Sequence, residues 1–443
     1  MRSLLRLVVA GVVAAAVHAA GAVAQTTAPR QETLAVMRSI VTSEEKAFTD
    51  AGRTRALALL DSVSARSALL SDLAFELQLS RVVALADNGH SLLRPGARIG
   101  RTNRVGVRLL PLSDGVLVAH ATDDLADLLG ASLVAIGELP LERLLAENRA
   151  LFGGTPAWRD QFAPYLLESP EQLHALGLTG SPAEAVYRFR RPDGTVISRT
   201  LRGDSVGRGV ARSVSEAFLP DAGRAGWRAA VTDPPWSLRE PGVAFRRSTS
   251  WQPGVFVFQM RGNHNAPGQA ITAVLDSVRA EIASAGPRHF VLDMRFNGGG
   301  DLNLTRRFMQ DLPGMVTGRI FVLTGPMTFS AGISSVGYLT QAAPDRVTIV
   351  GEPSGDRLVF FAESRMRELP GTGTGVWVSR ERHDYEGGCA AFTDCHGPVV
   401  RNPIRVRSLD PQVPAPWTMA AYQAGRDPAM EAVHALLERA GPM

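Results

Sequence analysis

"RIFVLTGPMTFSAGISSVGYLTQAAPDRVTIVG" (Arg319–Gly351) holds three elements in one stretch. "IFVL" is an apolar run of strand type, and Gly325-Pro326 stops it. "SAGISSVGYLTQAA" has helical character, and "RVTIVG" returns as a second apolar strand. Strands this apolar on both faces belong to a parallel sheet, with helices serving as crossovers. The preceding residues repeat the pattern. "GVFVFQM" (Gly254–Met260) is followed by the helix "GQAITAVLDSVRAEIASAG", then by the strand "RHFVLDM", "RFNGGGD" and the helix "LNLTRRFMQDL". The expected class is therefore α/β, with a largely parallel sheet over residues 251–443.

The sequence before this region is of a different kind. From Glu32 to Ala86, apolar residues such as Leu34, Met37 and Val41, then Leu57, Leu60 and Val63, keep helical spacing until "ADNGH" breaks it. A helical N-terminal region is expected over 25–100. "VGVRLLPL", "GVLVAHA" and a hairpin turning at Pro192-Asp193-Gly194 predict a small β-rich module over 101–205. Residues 206–250, with Gly, Pro and Arg in weak periodicity, read as a linker with entry strands.

Residues 1–24 have the form of a secretory signal peptide. Arg2 and Arg6 flank the apolar run Leu4–Val17, and Ala22-Val23-Ala24 offers a cleavage site. No later run has the ~20 apolar residues of a membrane span. The expectation is a periplasmic or secreted protein with no stable membrane insertion after cleavage. The net charge of +4 is dispersed, which excludes the basic patches of nucleic-acid binding. The two cysteines, Cys389 and Cys395, suit a disulfide in an oxidising compartment. His383 and His396 lie near them in what reads as an irregular loop, leaving metal as the lesser alternative; no metal or cofactor is expected. Lys46 is the only lysine, so lysine chemistry at the sheet would need the N-terminal region to fold back.

Ligands gather at the carboxyl edge of such sheets. "FNGGGD", "PMTFSAG" and "GEPSGD" should all fall there. The glycines of "NGGG" allow close backbone approach and inward-facing amides, while Asp301 and the missing lysine argue against phosphate. Ser330, at a helix start, reads either as the helix cap or as a nucleophile activated among free amides. Ala331 would supply one oxyanion donor, with Gly299 or Gly300 the second. Histidine is the natural base. His264 is a reasonable second choice, and His90 stands at a turn able to aim it at a cleft.

"FVLDMRFNGGGD", "TFSAG", "GEPSG", "QAGRDPAMEAVHALL" and "LADNGHSLL" together resemble the tricorn and C-terminal-processing serine peptidases. The likeness is to the branch without a Ser–Lys dyad, which shares its catalytic fold with interphotoreceptor retinoid-binding protein. The resemblance implies a crotonase-like (ClpP/crotonase) catalytic domain for 251–443 and a PDZ-like character for the β-rich module. It also implies Ser330 as nucleophile, His90 as general base, and an oxyanion region at Gly299, Gly300 and Ala331. Two positions depart from the pattern. Gly89 replaces the serine expected before the histidine, and Arg405 stands near the expected acid. Glu386 and Asp87 are the candidate acids to orient His90. Arg357 occupies the place of the other branch's base and cannot act as one.

The function expected is an exported serine peptidase acting on a peptide or unfolded protein, its oligomeric state open. The alternatives are a catalytically weak or inactive binding protein for a peptide or lipophilic ligand, or an esterase-type acyl hydrolase.

Overall fold

The computed structural model describes residues 29–204, 225–389 and 394–439. The signal peptide expected over 1–24 and the first part of the expected linker lie outside the described residues. Thr49 and Ser71 accept amide hydrogen bonds from Gly52 and Ala74, and so begin helices Asp50–Ala65 and Asp72–Ala84. Together with helix 29–39 they pack Leu34, Met37, Val41, Leu60, Phe75 and Val82 against Leu369, Val376 and Val378, far along the chain. The short strand Leu92–Leu93 pairs with Thr374–Val378, which pairs in turn with Arg365–Leu369. The N-terminal region thus completes its core on a sheet from the far end of the chain.

Strands Val107–Leu112, Gly115–Thr122, Ser132–Ile136, Glu184–Arg190 and Val196–Arg202 form the antiparallel sheet of the β-rich module, in that order. Trp227–Ala229, from the expected linker, pairs with Gly115–Thr122. Leu110, Leu117 and Ala119 meet Phe296, Met327, Trp417 and Tyr422, so the module is cemented to the parallel sheet by a shared apolar cluster.

The six strands of that sheet are β1 (Phe245–Ser248), β2 (Val255–Met260), β3 (His289–Asp293), β4 (Ile320–Thr324), β5 (Val347–Gly351) and β6 (Val413–Pro414). They lie side by side in chain order, β1–β2 antiparallel and the rest parallel. Edge strand β1 precedes the expected boundary at 251. Helices α1 (Ile271–Ala285), α2 (Leu302–Asp311) and α3 (Ala331–Ala342) connect β2 to β5. With right-handed crossovers and no reversal of strand order, all three must lie on one face. They do: Ile271, Val278, Phe308, Ile333 and Val336 pack on Phe256, Phe258, Phe290, Leu292, Val322 and Ile349. The opposite face (Val257, Val291, Phe321, Leu323) is covered by Ala429, Met430 and Val433 of helix Pro428–Arg439. Each such side chain contributes about 1.5–3 kcal/mol on burial.

Residues 357–384 form two ladders. Val359–Ala362 pairs with Glu381–Asp384, and Arg365–Leu369 with Thr374–Val378. His383 accordingly lies in a strand and is buried, not in an irregular loop. Among the described residues no helix is long and apolar enough to cross a membrane.

Candidate active site

Ser330 ends the loop after β4. Thr328 Oγ1 donates to the Met294 carbonyl (2.9 Å), and the Phe329 amide to the Asn297 carbonyl (3.0 Å). These bonds hold Ser330 at φ 54°, ψ −128°, where its side chain caps no amide of α3. A positive φ at a non-glycine residue costs about 1–3 kcal/mol, and such strain clusters at functional sites. The Ser330 amide donates instead to Asp356 Oδ2 (3.3 Å).

"NGGG" abuts this serine. Gly299 has φ 100°, and a Cβ there would stand 2.6 Å from the Ser330 Cβ, so only glycine fits. The Gly299 amide is taken by Asn297 Oδ1 (3.0 Å). Gly299 therefore supplies room and no free donor. Among the described residues the amides of Gly300 and Ala331 donate to no protein acceptor, leaving them as the two candidate oxyanion donors.

His90 reaches the same place from the N-terminal region. Asp87 turns the chain with φ 51°. Asn88 then pairs with the Phe361 peptide, donating to its carbonyl (2.9 Å) and accepting from its amide (3.1 Å). The imidazole is sandwiched between Phe329 (4.3 Å) and Phe360 (5.2 Å). Trp158 stacks behind Phe329 at 3.9 Å, and His383 and His396 continue the column beyond Phe360. A Cβ at position 89 would stand 2.8 Å from the Phe329 ring, which explains why glycine replaces the expected serine.

Asp356 Oδ2 lies 3.5 Å from His90 Nδ1. Burial, reinforced by His383, pushes His90 down to about 3, and burial pushes Asp356 up to about 8 against the Ser330 amide and Arg357. Both groups are thus held neutral, with the imidazole in its base form. Neither His90 nitrogen makes a hydrogen bond, so the hydroxyl and the ring are not yet joined. They do share a cavity of about 970 Å³, lined also by Gly300, Glu363, Arg380 and Trp377.

The other expected residues fall elsewhere. Glu386 is exposed in a turn whose amides Asp384 binds, and it is not on the cavity wall. Asp87 is ion-paired with Arg159 and with Arg357 (3.0 Å). The acid beside His90 is Asp356, the last residue of "GEPSGD"; its place after an apolar strand was the available signal. Lys46 does fold back to the cavity rim, but its exposed ammonium donates to the Ser43 carbonyl (2.9 Å). His264 is exposed and bonded to the Asn265 carbonyl. Cys389 and Cys395 form a disulfide with Cα atoms 5.9 Å apart.

No protein-family model matches the chain, and no curated protein matches it in sequence. Among solved structures, mature CPAF complexed with lactacystin is similar at a TM-score of 0.56 and 12% identity, over 92% of this chain and 98% of that one. Mature CPAF gives 0.55 at 12% identity, over 91% and 96%. A point mutant of CPAF gives 0.54 at 11%, over 89% and 94%. At such identity the likeness is one of fold.

Proposed function

We propose that the chain is an exported serine peptidase whose nucleophile is Ser330 and whose general base is His90. The observation that carries this reading is the shared cavity: a strained serine, a neutral imidazole and Gly300, whose amide is free, converge on it from distant parts of the chain, with the Ala331 amide next to the serine. In the reaction, Ser330 Oγ attacks the peptide carbonyl carbon while its proton passes to His90 Nε2. The carbonyl oxygen, now an oxyanion, is held by the Gly300 and Ala331 amides. Collapse of the tetrahedral intermediate breaks the C–N bond, and His90 gives the proton to the leaving amine. Water repeats the sequence to free the enzyme. Asp356, beside Nδ1, is the positioning residue for the ring.

The crotonase-like character of the sheet domain and the PDZ-like character of the module are part of this proposal. The largely parallel sheet, the antiparallel module docked on it and the fold shared with CPAF support them. Export is supported by the form of residues 1–24 and by the disulfide. The test is hydrolysis of casein or short peptides. Ser330→Ala and His90→Ala should each lose at least about 100-fold in kcat/KM; turnover equal to wild type in Ser330→Ala rejects the reading. The absent Ser330–His90 hydrogen bond favours one rival, a binding protein using the same cavity. That rival predicts saturable peptide binding with no turnover by folded wild-type protein.

A further inference from the structure

At the end of the aromatic column two imidazole nitrogens and a carboxylate oxygen face one another. His396 Nδ1 lies 2.7 Å from Glu381 Oε2. A carboxylate only accepts, so Nδ1 carries the proton and Nε2 of the neutral ring presents a lone pair. That Nε2 points at Glu363 Oε1, 3.7 Å away.

His383 is fixed in the same way by a chain of hydroxyls. His383 Nδ1 lies 3.0 Å from Tyr385 Oη, and Tyr385 Oη 2.6 Å from Ser334 Oγ, which reaches the Ser330 carbonyl (3.4 Å); protons passed in that order put the His383 hydrogen on Nδ1. In that tautomer His383 Nε2 also presents a lone pair. It is 3.5 Å from the same Glu363 Oε1, and no hydrogen bond satisfies it although the residue is only 3% exposed. With both rings held so, two lone pairs and a carboxylate oxygen are directed at one point, an arrangement that a metal cation satisfies.

We infer that Glu363, His383 and His396 form a binding site for a divalent transition-metal ion of the zinc class, on the wall of the Ser330 cavity. The three ligand atoms lie within 4.8 Å of one another. Two ligands about 2.0–2.1 Å from a tetrahedral ion stand about 3.3–3.4 Å apart, close to the 3.5 and 3.7 Å that separate Glu363 from the two rings. Two imidazoles with one carboxylate suit zinc or a similar first-row ion, not magnesium or calcium. Glu381 and Tyr385 are the outer partners that fix the tautomers, as metal-bound histidines require. The disulfide and the pairing of Arg382 with Cys395 bring His396 beside His383. Glu363 and Glu381 line the cavity together with Ser330, which puts the carboxylate side of the site on its wall.

The test uses the full chain, stripped with chelator and titrated with Zn²⁺ by calorimetry, with Co²⁺ absorption as a second reading. One ion per chain is expected, with tetrahedral Co²⁺ bands. Glu363→Gln and His396→Asn should weaken binding about 100-fold or more, and Glu381→Gln about 10-fold, with thermal unfolding confirming that each variant is folded. Ser330→Ala should bind as wild type does, so the result stands apart from the hydrolase proposal. Absence of stoichiometric binding by folded wild-type protein overturns the inference. So does equal affinity in the Glu363 and His396 variants, which would place the ion elsewhere.

Discussion

His90 is held by rings and not by hydrogen bonds, and that choice has a kinetic consequence. An imidazole between Phe329 and Phe360 loses water on both faces, so its charged form is disfavoured down to about pH 3. The groups facing it are Asp356, Glu363 and His383, with Arg357 behind Asp356. In chelator-treated enzyme the base stays neutral through mild acid, so activity should show no midpoint near 6.5. As pH rises through about 8, Asp356 ionises and its charge stabilises the imidazolium formed during attack. The pH–rate profile should therefore rise through that region, and Asp356→Asn should flatten it. A wild-type acid limb centred near 6.5 would show that His90 is solvated. Gly299 gives a steric test beside it. Gly299→Ala places a Cβ 2.6 Å from that of Ser330 at a φ of 100°. It should lower stability by about 1–3 kcal/mol in a denaturant titration and strongly reduce turnover.

Loops carry the site, and strands and helices only aim them. The loop 87–91 is pinned through Asn88, which exchanges two hydrogen bonds with the Phe361 peptide and donates to Ser91 (2.8 Å). Asn88→Ala would leave those buried groups unsatisfied, at a cost of about 1–3 kcal/mol. Its signature should be a fall in kcat with KM little changed, because the base is misplaced while the cavity persists. Restoring the serine of the resembling family, Gly89→Ser, should impair the enzyme, since Phe329 and Trp158 fill that space. The elements themselves were largely legible. The buried strands "IFVL" and "FVLD" could be little else, and the serine and glycines announced themselves by following them. The ladders of 357–384 were not legible, because their partners are remote segments that no local period reveals. Asp356 was missed for the same reason: its carboxylate stands out only when a histidine more than 200 positions earlier arrives beside it.

The three regions act as one body because their cores are shared. The N-terminal helices are finished by Leu369, Val376 and Val378, and the module by Phe296 and Trp417. At the end of β3, Arg295 bridges Asp293 (2.8 Å) and Asp427 (2.7 Å), all three buried, tying that strand to the start of the final helix. Although burial opposes its charge, the two aspartates hold Arg295 above its ordinary pKa. Arg295→Ala would strand two buried carboxylates and should cost about 3–5 kcal/mol in a urea melt. A loss below 1 kcal/mol would mean that water already reaches the cluster. Composition and spacing do not reveal how the segments join, since the contacts between them pair residues that are ordinary in their own segments. The whole arrangement exists, on this account, to bring one hydroxyl and one imidazole to the same cavity. Mass spectrometry of folded protein after exposure to a fluorophosphonate probe measures that directly. The adduct should fall on Ser330 and nearly vanish in His90→Ala; labelling of another residue, or equal labelling without His90, would contradict it.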